Sequence, residues 1–482
     1  MRQDMNRRRF LTTTVSIGAG LALAGPLQAF MAKPAWARQS GYGPLKPVKD
    51  HRTDLELLAL PKGFEYWSYG EVGSLMSDGR PTPPSHDGTG SFQHGRKIHL
   101  VRNHEVRGQG VPFGPLDQAY DPLSGGGNTI TAFDPRHPSQ IESWAVLSGT
   151  NTNCAGGRTP RQSWLTCEET LDVFGQPHGF VFEVPSDATS VVDAVPLKAL
   201  GRFAHEAVAV DPATWIVYLT EDAGSTSGLY RFIPKSRGDL TSGRLQMLAI
   251  EGQASADLFT GQTVATELPV EWVDIDVPVP DPVTATTSVF AQGRAQGAAA
   301  FRRLEGAWYS ADDQSIYFNS TDGGNAAAGQ VWALTPGRRS GGRKDKREHD
   351  DDGQSRRDDS LALVYESPST EILLKPDNIT VSPSGGVLLC EDTDRARQTF
   401  LRGLTADGVL YDFAANNRTG LIPGTAVLQS WDEFTGATFS ADGEWLFVNI
   451  QTPGISFAIT GPFDRGPLGG SRGRKTSQRR DA

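Results

Sequence analysis

Short apolar runs, each closed by a polar and usually acidic residue, recur along the chain. They extend from Lys97 to Glu105, Ser163 to Glu169, Trp215 to Asp222, Ser315 to Asp322, Val387 to Asp392 and Trp445 to Gln451. Their length and their content of β-branched and aromatic residues predict strands. Turn signals precede several of them: Val210-Asp211-Pro212, Val381-Ser382-Pro383-Ser384-Gly385 and Ser440-Ala441-Asp442-Gly443. Each such turn separates two apolar runs, the signature of a hairpin. Beyond residue 37 no stretch sustains a helical period. A repeated four-stranded unit of roughly 40–50 residues marks a β-propeller. The pattern therefore predicts an all-β fold, a six-bladed β-propeller with loop insertions. A β-sandwich, or two smaller β domains, is the alternative architecture.

Polar and small residues set the limits of that domain. Asn6-Arg7-Arg8-Arg9-Phe10-Leu11 is followed by an apolar run from Val15 to Leu27 and by Ala35-Trp36-Ala37, a small-x-small cleavage site. Residues 1–37 read as an export signal, not as a fold element. Gly18, Gly20, Gly25 and Pro26 interrupt the apolar run, so a stable membrane span is not expected. The Arg-Arg-x-Phe-Leu core resembles a twin-arginine signal, which implies the twin-arginine export machinery as a partner and a periplasmic or secreted protein. That route carries folded chains, so a metal centre can be assembled before export. From Gly337 to Ser360 there is no apolar residue. Such a segment cannot bury surface to offset its ordering entropy. We read 337–360 as a solvated loop within one domain spanning 38–468, and 469–482 as a disordered tail.

Composition narrows the chemistry. The 482 residues include 54 glycines and 31 prolines, more breakers than a helical bundle tolerates. The formal net charge of -10 excludes nucleic acid as the main partner, since backbone phosphates call for a basic surface. The three cysteines, Cys154, Cys167 and Cys390, leave at least one thiol unpaired. No phosphate-binding loop, CxxC zinc pattern or HExxH motif occurs, and neither Ser85 nor Ser163 sits in a nucleophile elbow.

The repeat itself has a chemical consequence. In a propeller, equivalent strands end on one face of one axis. Glu105, Glu168, Glu169, Asp222, Asp322, Glu391 and Asp392 would then crowd together, and carboxylates that close repel unless cations neutralise them. Bound metal is the expected remedy. Glu168 and Glu169 are adjacent, and neighbours on a regular strand point opposite ways, so only one of them is expected to face the ring. Cys154, in Asn153-Cys154-Ala155-Gly156-Gly157, precedes small residues where the backbone turns tightly. A thiolate among carboxylates suits iron better than calcium or magnesium. Taken alone, the same cysteine reads as a structural one in a glycine turn.

The string from Asn153 to Pro160, followed by Trp164-Leu165-Thr166-Cys167-Glu168-Glu169, resembles the hallmark of the PhoX alkaline phosphatases. So do Gly201-Arg202-Phe203-Ala204-His205-Glu206-Ala207, Pro376-Asp377-Asn378-Ile379-Thr380-Val381-Ser382-Pro383, Leu389-Cys390-Glu391-Asp392 and Phe447-Val448-Asn449-Ile450-Gln451-Thr452-Pro453-Gly454. The resemblance implies a six-bladed propeller that hydrolyses phosphate monoesters with ferric iron and calcium (Fe3+, Ca2+) on the axis, and we expect a monomer. It carries the cysteine ligand onto Cys154, carboxylate ligands onto Glu206 and Asp377, and an Arg-x-Glu pair onto Arg303 and Glu305. There the arginine would hold phosphate and the glutamate a metal. Asn103-His104-Glu105 would supply a further phosphate or metal contact. The expected set is thus Arg303 and Asn103 on phosphate, with Cys154, Glu105, Glu168, Glu169, Glu206, Glu305, Asp377 and Glu391 on metal. His205 would orient a ligand. Arg161-Gln162 stands where the family usually has Trp-Gly, and Thr170 where it often has Asn. Both departures are expected to bear on which substrate the site accepts. A calcium-dependent propeller hydrolase such as a lactonase, and a non-catalytic metal-binding propeller, are the alternative functions. The first has no use for a thiolate, and the second does not require a phosphate clamp.

Overall fold

The computed structural model describes residues 41–337, 358–392, 395–417, 420–421 and 427–469. Residues 1–37, expected to be an export signal, positions 338–357 of the polar stretch and 470–482 of the tail lie outside the described residues. Among the described residues the chain is almost wholly strand. The α-helix found there, Val289–Ala295, is capped by the Ser288 hydroxyl, which accepts from the Ala291 N–H. The fold is all-β and propeller-like, as the alternation of apolar runs and turns predicts.

Antiparallel strands are laid down in chain order, each group starting with a strand on the central axis. His86–His94, Lys97–His104, Gly126–Phe133 and Ile141–Thr150 form one sheet, and Asn153–Arg158, Ser163–Glu168 and Val181–Pro185 the next. His205–Val210 begins a group that shares a nine-stranded sheet with the group begun by Leu304–Tyr309, because Glu267–Asp274 pairs with Ser360–Glu366. Pro376–Val381 leads a sheet that Leu58–Leu60 and Lys46–Val48 extend at its outer edge. Phe434–Phe439 leads the last, whose fourth strand, Glu65–Tyr69, comes from the start of the chain and pairs with Ile455–Thr460.

The six leading strands touch one another in a closed cycle. Apolar clusters fill the wedges between successive sheets, and each draws on both neighbours. Phe92 and Val101 meet Trp164 and Phe182, for example, and Tyr317 and Val331 meet Ile379 and Leu389. Phe133 and Phe447 close the cycle between the last sheet and the first. This is ordinary face-to-face sheet packing, driven by the apolar area it removes from water.

One irregularity repeats. Between His86 and Thr89, Asn153 and Gly156, His205 and Val208, Leu304 and Ala307, and Pro376 and Ile379, the leading strand carries one residue more than its partner. In the last sheet the same bulge lies between Thr435 and Thr438. A bulge re-aims side chains and bends the strand. Each is tied by an equivalent hydrogen bond: Glu105, Glu169, Asp222, Thr321, Asp392 and Gln451 donate their N–H to the carbonyls of Ser85, Thr152, Ala204, Arg303, Lys375 and Glu433 at 2.8–3.2 Å. Four of those acceptors, Ser85, Thr152, Arg303 and Lys375, hold φ between 42° and 52°. Such left-handed backbone is unfavourable for non-glycine residues by about 1 kcal/mol or more. The same backbone device is thus built repeatedly around one axis.

Candidate active site and metal centre

The residue two places after each of those carbonyls is turned toward the axis. These residues are Asp87, Cys154, Glu206, Glu305, Asp377 and Thr435. Glycine or alanine follows at five of the six positions, Gly88, Ala155, Ala207, Gly306 and Gly436, and Asn378 at the other. Their size is dictated by crowding at the axis. A Cβ on Gly306 would lie 2.7 Å from the Ile379 nitrogen, and one on Gly436 2.4 Å from the Asp87 carbonyl oxygen. The N–H donors form a second tier of side chains, Glu105, Glu169, Asp222, Thr321, Asp392 and Gln451, around the first.

This tiering gathers acids out of water. Asp87, Glu105, Glu206 and Glu305 are all buried. Ligand atoms of Asp87, Glu105 and Cys154 lie within 4.8 Å of one another, as do those of Cys154, Glu206 and Asp377. Cys154 belongs to both groups. Gln451 Nε2 donates to Asp87 Oδ2 at 2.9 Å and to Glu105 Oε2 at 2.6 Å, linking the tiers. Both carboxylate oxygens of Glu206 are buried without a hydrogen-bond partner.

Burial, reinforced by mutual repulsion, pushes these groups toward their neutral forms. Burial and then Glu105 hold Asp87 well above the carboxylate range. Burial and then Asp377 do so for Glu206, and burial and then Asp222 for Glu305. Glu169 is raised by burial and Glu105, Glu433 by burial and Asp392. Asp377 is pushed up to about 8 by burial, then by Asp392. The Cys154 thiol is raised by burial and then by Asp87 and Glu206. So many buried acids with unsatisfied oxygens call for cations. The donor set, several carboxylates and one thiolate, fits a mixture of hard and borderline ions.

Three cations edge the ring. Arg303 reaches Asp222 Oδ2 and Glu305 Oε1, at 3.1 and 2.8 Å. Burial pulls its guanidinium pKa down, but Glu305 and Asp222 outweigh that and leave it raised. Arg107 pairs with Glu105 and with Glu169, the latter at 3.2 Å. Lys375 lies 4.0 Å from Asp322.

The expected residues divide into two sets. Cys154, Glu105, Glu169, Glu206, Glu305, Asp377 and Arg303 come together. Glu168 does not join them, because it turns away to accept from the N–H groups of Asn151, Gly179 and Phe180 and pairs with His178 at 2.6 Å. Glu391 is likewise engaged, with Arg397, Arg402 and the N–H groups of Leu374 and Phe400. In both cases the next residue, Glu169 or Asp392, occupies the inner tier. Asn103 is fully buried and saturated. Its amide donates to the carbonyls of Cys154 and Ala155, and its oxygen accepts from Asn128, Trp164 and Thr166. It shapes the Cys154 turn and has no bonding capacity left for phosphate. His205 bonds the Gly201 carbonyl rather than a ligand, and burial lowers its pKa to about 3. Asp322 lies one position beyond the inner tier, where Thr321 stands. Arg161-Gln162 caps the hairpin at the other end of the strand that bears Cys154. There Arg161 binds Glu183 and stacks on Trp215, so this departure does not touch the acid ring. Asp87 and Glu433 belong to the cluster although no strand-end acid pattern marks them. Asp87-Gly88 shares the signal of Glu206-Ala207 and Glu305-Gly306, an acid followed at once by a small residue before a β run.

A propeller-like all-β domain with a buried acid and thiol ring, edged by arginines, has the makings of a metal-dependent hydrolase. The family model of the alkaline phosphatase PhoX matches residues 134–454, and the chain belongs to that family. The protein is a metal-dependent phosphatase, and the lactonase and non-catalytic alternatives fall away. Among solved structures the chain is similar to PhoX of Pseudomonas fluorescens in complex with vanadate, a transition state analogue. The TM-score is 0.59 at 17% identity, covering 89% of this chain and 99% of that one, a likeness of fold. It is also weakly similar to a gluconolactonase of Xanthomonas campestris, with a TM-score of 0.32 at 13% identity over 82% of this chain and 99% of that one. No curated protein matches the chain.

Proposed function

We propose that this phosphatase hydrolyses phosphate monoesters over a cluster of ferric iron and calcium held on the axis of a six-bladed propeller. The observation that carries the reading is the sharing of Cys154 between two ligand groups, with the unpartnered Glu206 carboxylate beside it. Asp87, Glu105, Cys154, Glu169, Glu206, Glu305 and Asp377 would hold the ions, the thiolate selecting iron and the carboxylates calcium. The bound ions would supply charge neutralisation, polarisation of the phosphoryl oxygens and a nucleophile available at neutral pH. Arg303 releases one carboxylate partner to grip two phosphate oxygens with its planar fork. Arg107 and Lys375 raise the local positive potential for a doubly charged substrate. Gln451 keeps Asp87 and Glu105 oriented. In this reading the chain is one catalytic domain over 38–468, a monomer. It is exported folded by the twin-arginine machinery to the periplasm or beyond. Among the described residues no helix is long and apolar enough to cross a membrane.

The test is reconstitution of the mature protein with ferric iron and calcium. Hydrolysis of a chromogenic phosphate monoester should appear, together with a visible thiolate-to-iron band that Cys154→Ser abolishes. Loaded protein without hydrolysis rejects the monoesterase reading. An active, colourless, iron-free protein rejects the role given to Cys154.

A further inference from the structure

The far mouth of the axis, opposite the acid ring, holds a second cavity of about 380 Å³. Between the two lies a neck of about 20 Å³ walled by Gly88, Ala155, Gly306 and Gly436, room for roughly one water. The neck separates the ends, since the strand from Cys154 to Arg158 spans about 13 Å at the usual rise per residue. The far cavity is a different chemical place from the acid ring. Among the described residues Arg158 is the one charged side chain that lines it, and no acid does.

Arg158 has neither a carboxylate nor a hydrogen-bond acceptor among the described residues. Its guanidinium faces the Phe92 ring, 5.3 Å from the centroid, and burial lowers its pKa with no anion to oppose the shift. Arginine nevertheless stays charged in proteins. The Trp308 side chain lines both cavity and neck, and its indole N–H has no acceptor among the described residues. The remaining wall mixes flat apolar groups, Phe439, Val210 and Pro383, with the polar side chains of Thr159, Gln162, Ser382 and Ser440. A cation without an acceptor, in a cavity of ligand size whose walls are partly apolar and partly hydroxyl- and amide-bearing, asks for an amphiphilic anion. Its single charge would meet Arg158 bidentately, and its planar body would fill the apolar space beside Trp308.

We propose that this far mouth is a binding site for a small aromatic carboxylate, separate from the phosphatase centre. The Arg161-Gln162 hairpin tip, with Gln162 in the wall, belongs to this site rather than to the acid ring.

Isothermal titration of the metal-loaded protein with 2-naphthoate tests it. One molecule should bind per chain, and saturating inorganic phosphate should leave the affinity unchanged. The neutral 2-naphthamide should bind about tenfold more weakly or worse, and Arg158→Met should weaken naphthoate by a similar factor. Ala311→Trp, which fills the cavity from an exposed turn, should abolish binding. Neither residue is in the catalytic machinery, so unchanged turnover certifies that both variants are folded. Absence of binding at millimolar naphthoate, equal affinity in Arg158→Met, or displacement by phosphate would overturn the proposal.

Discussion

Gly88 lies so close to Ala155 that a Cβ on residue 88 would sit 2.6 Å from the Ala155 Cα and 2.8 Å from the Cys154 carbonyl oxygen. Backbone cannot yield as the far end of a side chain can. Gly88→Ala should therefore spread the strands that carry Asp87 and Cys154. Small-to-large changes in packed interiors are unfavourable by about 1–3 kcal/mol. Thermal stability should fall accordingly, and iron content should fall with it. A variant with normal metal content and activity would contradict the crowding argument.

Glu206 offers a test in which stability and function move in opposite directions. Its buried carboxylate has no hydrogen-bond partner, so the metal-free fold bears the desolvation of any charge placed there. Glu206→Gln should stabilise chelator-treated protein at high pH by about 1–3 kcal/mol, while metal content and phosphatase turnover drop. Denaturant midpoints with and without chelator, beside elemental analysis, measure both effects. Equal destabilisation of metal-free and loaded protein would point to a purely structural residue.

Asn103 should behave as scaffold. Removing its five hydrogen bonds by Asn103→Ala leaves buried donors and acceptors unmet, at about 1–3 kcal/mol for each group left so. Stability should fall by several kcal/mol, on the order of the buried-network losses seen elsewhere. The KM for a phosphate monoester should be unchanged in whatever fraction remains folded. A raised KM at wild-type stability would restore the phosphate contact.

His178 brings a pH dependence. It sits buried between Glu168 and Asp121, at 2.6 and 3.3 Å. Burial alone would lower its pKa, but the bonds and charges of Glu168 and then Asp121 outweigh burial and hold it raised. A group with a raised folded-state pKa contributes stability fully below its unfolded value, near 6.5, and loses it as pH rises through the folded value. Melting temperature should therefore decline with pH in a window above 6.5 in the wild type. His178→Phe should be less stable throughout, by about 3–5 kcal/mol at low pH, and flat across that window. An identical slope in both proteins would assign the titration elsewhere.

The strands were legible because alternating apolar runs and turns leave few other options, and the runs that end in acids are the second strands of their sheets. Which acid of a pair faces the axis was harder to read. At Glu168-Glu169 and Glu391-Asp392 alternation requires opposite directions but does not say which is inward. The answer comes from Gly179, Phe180, Leu374 and Phe400, whose N–H groups claim the outward member from distant sequence. Asp87 opens a strand rather than closing one, so the strand-end pattern does not mark it. Asn103 resembled a phosphate ligand because an asparagine saturated by five partners and one with free capacity look alike in sequence. The role of Arg161-Gln162 could be read only once the hairpin had a direction.

The strand Glu65–Tyr69 finishes a sheet whose other members are the last to be synthesised, Phe434–Phe439 to Ile455–Thr460. Ring closure therefore waits until the strands from Phe434 to Thr460 have been synthesised. In a nascent chain the acids stay apart and hydrated, and the full ring is crowded together only when first and last segments dock. A cluster held by the whole ring would thus assemble only after the last sheet has docked. A ribosome-bound fragment lacking the last sheet should hold no iron, however much is supplied.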